Sequence, residues 1–118
     1  MEPKLTVSDG TVSTCIEIDR KHLEAVAHEY WAAKEKHPEF CSAIIDPTSS
    51  KSWEEAEFRI KLRNERGPWT ADNILAEEMA EAFAAYEQGD KEHSLQELAQ
   101  CGAVILRIME TIEKEMKQ

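Results

Sequence analysis

Apolar residues recur at helical spacing along most of this chain and predict four helices. The first follows Asp19 as its N-cap and ends before Pro38. The second begins at Ser52, where Glu55 completes a capping-box pattern, and it continues to about Arg66. Between these two helices, residues 40–50 are irregular.

The third and fourth predicted helices are joined by a short turn. Thr70 caps the third helix, and Gly89-Asp90 ends it. The fourth helix starts near residues 91–94 and continues almost to the end of the chain. Its apolar positions nearly encircle it between Leu95 and Ile112, which indicates burial on more than one side. We therefore expect a homodimer or a higher oligomer.

Residues 4–18 have a different pattern, because apolar and polar residues alternate on both sides of Asp9-Gly10. Such alternation around Asp-Gly is typical of a β-hairpin. An isolated hairpin is marginally stable, so it must pack on the helices, pair with another chain, or fray. The predicted fold is all-α: one domain over residues 1–118, with a hairpin or arm at 1–18 and a bundle of about four helices at 19–118.

Composition narrows the classes of function that fit this chain. Its 118 residues carry a net charge of −10, which disfavours binding to nucleic acid because phosphate contacts need clustered Lys and Arg. No apolar run approaches the ~20 residues of a membrane span, and the polar N-terminal residues do not resemble a signal peptide. The three cysteines are widely spaced without a CxxC motif, as expected for free thiols in the cytoplasm.

The candidate chemistry lies in an acidic pattern on the last two helices. The third helix carries Glu77, Glu78 and Glu81, and the fourth carries Glu97 and Gln100. Side chains three apart share one helix surface, and two facing helices can direct such pairs at one point. Oxygen ligands of this kind suit Mg²⁺, or alternatively Mn²⁺. Exposed glutamates are also common in helices, so a solvated acidic face is the alternative.

The position of Glu78 relative to the apolar stripe separates it from its neighbours. It lies at the edge of the stripe, where a carboxylate becomes half-buried, and Glu81 lies one step further round. A half-buried carboxylate needs a compensating partner. A metal ion satisfies that need, and so does a Lys or Arg side chain from elsewhere.

The segment EEMAEAFAAYEQGDKEHSLQELAQ resembles the all-α NTP pyrophosphatases of the MazG type. That family has a helix with EExxE, a spacer that often contains Gly-Asp, and a helix with ExxD. The flanking sequence is similar to that of small phage and prophage members of this superfamily. It has His37-Pro38 upstream and Trp69-Thr70 before the acidic helix. Such members often have ELxQ in place of ExxD.

The resemblance implies Mg²⁺-dependent hydrolysis of a nucleoside triphosphate to the monophosphate and pyrophosphate. Glu78, Glu81 and Glu97 would then be metal ligands. Glu77 would be a further ligand or the base that orients the attacking water. The family aspartate maps to Gln100, whose amide oxygen can coordinate a metal but brings no negative charge.

A charged substrate also needs cationic contacts. Arg59, Arg63 and Arg66 share one face of the second helix and could clamp phosphates, or they could pair with nearby glutamates on a solvated face. Trp69 precedes the acidic helix and could contact the base, although tryptophans are commonly core or interface residues. Two other functions stay open: a catalytically weak or inactive homologue that binds a nucleotide or a protein, and a purely structural module.

Overall fold

The computed structural model describes residues 20–118 and, before them, the backbone of two short strands. Strand β1 spans Lys4–Ser8, strand β2 spans Cys15–Asp19, and the two pair antiparallel. Residues 1–3 and the connection at 9–14, which includes Asp9-Gly10, lie outside the described residues. The hairpin at 1–18 therefore stays a prediction.

Four α-helices follow, and all four helices expected from the apolar periodicity are confirmed. Their bounds are α1 Arg20–Lys36, α2 Trp53–Glu65, α3 Ala71–Glu87 and α4 Lys91–Met116. None of these described helices combines the length and apolar character needed to cross a bilayer. The chain divides into two compact units, Met1–Cys41 and Ser42–Gln118, and its organisation as a single domain stays a prediction.

The first unit contains α1, in which no residue is buried. Val26, Tyr30 and Trp31 of its apolar stripe are exposed, and Leu23 is half-buried. The Lys34 ammonium lies 5.0 Å from the centre of the Tyr30 ring, a cation–π geometry along one helix face. Most of the larger apolar side chains of α1 are therefore solvent-exposed in the single chain.

In the second unit, α3 is the central helix and packs against both α2 and α4. Its small side chains allow this close approach from two sides, because an alanine fills little space between helix backbones. Ser94 on α4 strengthens one interface, since its hydroxyl donates to the Ala82 carbonyl at 2.8 Å. The buried apolar residues are correspondingly small: Ala80, Ala82, Ala84, Ala85 and Cys101.

The start of α2 is fixed to the end of α3. As predicted, the Ser52 hydroxyl caps α2 by accepting from the backbone N–H groups of Glu54 and Glu55. The Glu87 carboxylate from α3 also accepts from the first N–H groups of α2, at 2.9 Å from Trp53. This placement is favourable because the N-terminus of a helix attracts negative charge.

The turn between α3 and α4 sets the alignment of these two helices. Gly89 has a φ of 82°, and the next amide, that of Asp90, donates to the Ala85 carbonyl at 3.0 Å. This bond completes a Schellman ending for α3. The Asp90 carboxylate then caps α4 by accepting from the His93 amide at 3.0 Å. One short turn thus ends α3 and starts α4, so the helices return side by side.

Candidate metal centre

Three carboxylates meet where α3 faces α4. Glu78 and Glu81 lie three residues apart on α3, and Glu97 comes from α4. Glu81 and Glu97 are equally far in sequence from Gly89, so the antiparallel turn places them at the same level. One oxygen from each of the three carboxylates lies within 4.8 Å of the other two. We call this group the three-glutamate cluster.

The cluster buries oxygen atoms that have no partner. The side chain of Glu97 is only 9% exposed, and its Oε2 accepts no hydrogen bond. Oε2 of Glu78 is likewise buried and unpartnered, on a residue that is half-buried as expected. A buried polar atom without a hydrogen-bond partner lowers the free energy of unfolding by about 1–3 kcal/mol. Binding of a cation or a proton at these oxygens would remove that cost.

Burial and mutual contact shift the pKa values of all three carboxyl groups. Burial, followed by interaction with Glu97, raises the pKa of Glu81 to about 7. The pKa of Glu78 is raised for the same reasons. Burial also acts to raise the pKa of Glu97, but the neighbouring Glu81, Glu78 and His93 side chains outweigh it and leave that pKa below its ordinary value. Without a metal, the two α3 carboxyls thus hold a proton more tightly than an ordinary glutamate, and Glu97 holds one less tightly.

Lys61 from α2 contacts the cluster with its ammonium group. Its ammonium lies 3.4 Å from Glu81 Oε1 and donates to Glu57 Oε2 at 2.9 Å. These two carboxylates raise its pKa, with Glu57 as the larger cause. Sequence reasoning missed this residue: the Glu57–Lys61 spacing of four was visible, but the contact with α3 depends on how the helices pack.

His93 reaches the cluster from the first turn of α4. Its Nε2 lies 3.1 Å from Glu97 Oε1, one helical turn further along. Its Nδ1 lies 3.9 Å from the Asp90 carboxylate. The sequence offers a signal for the first contact, because His93 and Glu97 are four residues apart on one helix.

Glu77, the predicted catalytic residue, points to a different partner. Its Oε1 accepts from the Asn64 side-chain amide at 3.2 Å, and the same amide donates to the Asn73 carbonyl at 3.2 Å. Asn64 is only 4% exposed and joins the end of α2 to the start of α3. The structure therefore ties Glu77 to α2 and brings the other three glutamates together.

The remaining predicted site residues are solvent-exposed. Gln100 lies one turn after Glu97 on α4. Trp69 is 67% exposed just before α3. The arginines are exposed along α2 and at its C-cap: Arg59, Arg63 and Arg66. Their roles in binding phosphate or base stay predictions.

Comparison with protein-family models, curated proteins and solved structures gives no match to this chain in any of the three. The resemblance to the MazG-type pyrophosphatases therefore stays a prediction from the motif.

Proposed function

We propose that this chain is a MazG-like nucleoside triphosphate pyrophosphohydrolase that uses Mg²⁺. One observation carries the proposal: carboxylates from two antiparallel helices, Glu78, Glu81 and Glu97, converge within 4.8 Å and leave buried oxygens without partners. The motif that suggested the activity is the same one that forms this cluster.

The donor set fits a hard divalent cation. All three groups offer carboxylate oxygen, and the two unpartnered oxygens, on Glu78 and Glu97, are free to coordinate. Gln100 would add a neutral amide oxygen as the fourth ligand. When bound, Mg²⁺ would lower the pKa of water and neutralise charge on the phosphates between which the substrate is cleaved.

The residues around the cluster suggest how the substrate would be held. Lys61 contacts Glu81, and a metal at the glutamates would release its ammonium from Glu81 towards a phosphate oxygen. The exposed arginines of α2 would extend the cationic surface, and Trp69 would contact the base. Glu77 would position the attacking water, provided that its bond to Asn64 rearranges.

Hydrolysis is tested by pyrophosphate release from a panel of ribo- and deoxynucleoside triphosphates with Mg²⁺. We expect release from at least one substrate, and loss of at least 100-fold in Glu97→Gln, which keeps the shape and removes the buried charge. Glu115→Gln is the matched control, because Glu115 is an exposed carboxylate in the last turn of α4. Equal activity in Glu97→Gln and the wild type would refute the assignment.

A second candidate, a binding protein without turnover, is favoured by one specific residue. Gln100 supplies no charge where the family has aspartate, and a metal cage with one fewer anion binds its ion more weakly. In that case a nucleotide with Mg²⁺ would raise the melting temperature while no product forms.

We also propose that the chain acts as a homodimer or higher oligomer in the cytoplasm. The support is exposed apolar surface on α4, where Leu95 is 68% exposed. Other large apolar side chains of this helix are also exposed, namely Leu98, Ile105, Ile112 and Met116. A second subunit would remove this surface from water. Sedimentation equilibrium at micromolar concentration tests this, and a monomeric mass would contradict it.

A further inference from the structure

We propose that His93 is a positioning residue for the metal: it holds the Glu97 carboxylate by one oxygen and leaves the other, buried oxygen free to bind a metal at the three-glutamate cluster. The inference rests on the proposed metal function of that cluster. It adds a residue that the acidic motif does not contain, and it assigns to His93 a defined role in metal affinity.

The hydrogen bond between His93 and Glu97 fixes the carboxylate. An ionised carboxylate can only accept, so the 3.1 Å contact requires a proton on Nε2 of His93. This bond uses Glu97 Oε1 and leaves Oε2, which is buried and has no partner. Tilting the carboxylate to an intermediate orientation would break the bond to His93, so this bond fixes the plane in which the two oxygens lie.

His93 is itself held in place from the start of α4. Its backbone N–H donates to the Asp90 carboxylate at 3.0 Å, which caps the helix. The other oxygen of Asp90 lies 3.9 Å from Nδ1 of the ring. The turn at Gly89 that brings α3 and α4 together therefore also orients the imidazole. The pairing of the two helices and the orientation of Glu97 thus depend on the same short segment.

The expected energetic signature separates positioning from a structural role. The imidazole is half exposed, but its partner Glu97 is buried, so loss of the hydrogen bond should also lower the melting temperature. Partners that orient metal ligands typically change metal affinity by about 10- to 100-fold. Metal affinity measured well below the melting temperature, where every variant is folded, therefore separates positioning of the ligand from a purely structural role.

The test is Mn²⁺ binding by electron paramagnetic resonance, together with melting curves in chelator. His93→Phe keeps a ring of similar size without a donor, and His93→Gln retains an N–H donor of similar reach. We expect the Kd for Mn²⁺ to rise about 10- to 100-fold in His93→Phe and to recover most of this loss in His93→Gln. The control is His28→Ala, an exposed histidine of α1, which should bind as the wild type does.

Each outcome decides the proposal. Equal Mn²⁺ affinity in His93→Phe and the wild type overturns it. A parallel loss of melting temperature and affinity in both His93 variants also overturns it, because His93 would then be structural. If the wild type binds no Mn²⁺, both the metal function and this inference fall. If it binds Mn²⁺ with the expected variant pattern but hydrolyses no nucleotide, only the proposed enzymatic function fails.

Discussion

Replacing Glu81 with glutamine should stabilise the metal-free protein at alkaline pH. In the unfolded chain Glu81 ionises near its ordinary pKa of 4.5, whereas in the folded chain burial and Glu97 raise that pKa to about 7. Because the folded pKa is raised, the neutral form contributes stability that is fully present below pH 4.5. That stability is lost as the pH rises through about 7. Glutamine is neutral at every pH and avoids this loss.

The size of the effect follows from the two pKa values. A tenfold change in proton affinity corresponds to ~1.4 kcal/mol, so the upper limit is roughly 3 kcal/mol. The Glu81 side chain is 19% exposed and contacts Lys61, and solvent screening reduces the effective value. We expect the wild type to lose about 1–2 kcal/mol more than Glu81→Gln between about pH 4.5 and 8.

Thermal or urea unfolding followed by circular dichroism in chelator measures this difference across that pH range. Glu115→Gln controls for the general effect of removing one negative charge and should follow the wild type. Addition of Mg²⁺ at about pH 8 should restore wild-type stability and leave Glu81→Gln almost unchanged, because the variant lacks one ligand. Parallel pH profiles for the wild type and Glu81→Gln would refute the reasoning.

Three further predictions follow from the site and its supports. Gln100→Asp should tighten Mn²⁺ binding by about tenfold in an equilibrium titration if its side chain faces the cluster, whereas unchanged affinity would place it outside the ligand set. Lys61→Gln should tighten Mn²⁺ binding by about 3- to 10-fold, because it removes a cation that competes for Glu81, and it should slow hydrolysis. Weaker Mn²⁺ binding in this variant would contradict the placement of Lys61 beside the metal ligands. Asn64→Ala should lower the free energy of unfolding by about 1–2 kcal/mol, measured with urea, because Asn73 and Glu77 lose their buried donor; an unchanged midpoint would show that this link is dispensable.

The helices of this chain could be predicted from local signals. The N-cap at Ser52 and the helix end at Gly89-Asp90 can be predicted from neighbouring residues alone, and both are present in the structure. The apolar pattern of α4 was less informative, since a pattern identifies an apolar face but does not show what covers it. Leu95, at the start of this apolar pattern, is 68% exposed in the single chain, and the pattern alone does not identify a partner that covers it.

The convergence of Glu78, Glu81 and Glu97 was accessible from sequence for a geometric reason. Spacing along α3 and the position of the turn together fix which residues of two antiparallel helices face each other. Lys61 and Asn64 were not accessible in this way, because both come from α2 and their contacts with α3 depend on tertiary packing.

The central claim, that Glu78, Glu81 and Glu97 hold a divalent cation, is tested most directly by a crystal structure with Mn²⁺ and its anomalous scattering. The account predicts one anomalous peak between the three carboxylates, at about 2.0–2.3 Å from their oxygens, with Lys61 displaced from Glu81. No peak at that position, with Lys61 still beside Glu81, would contradict it.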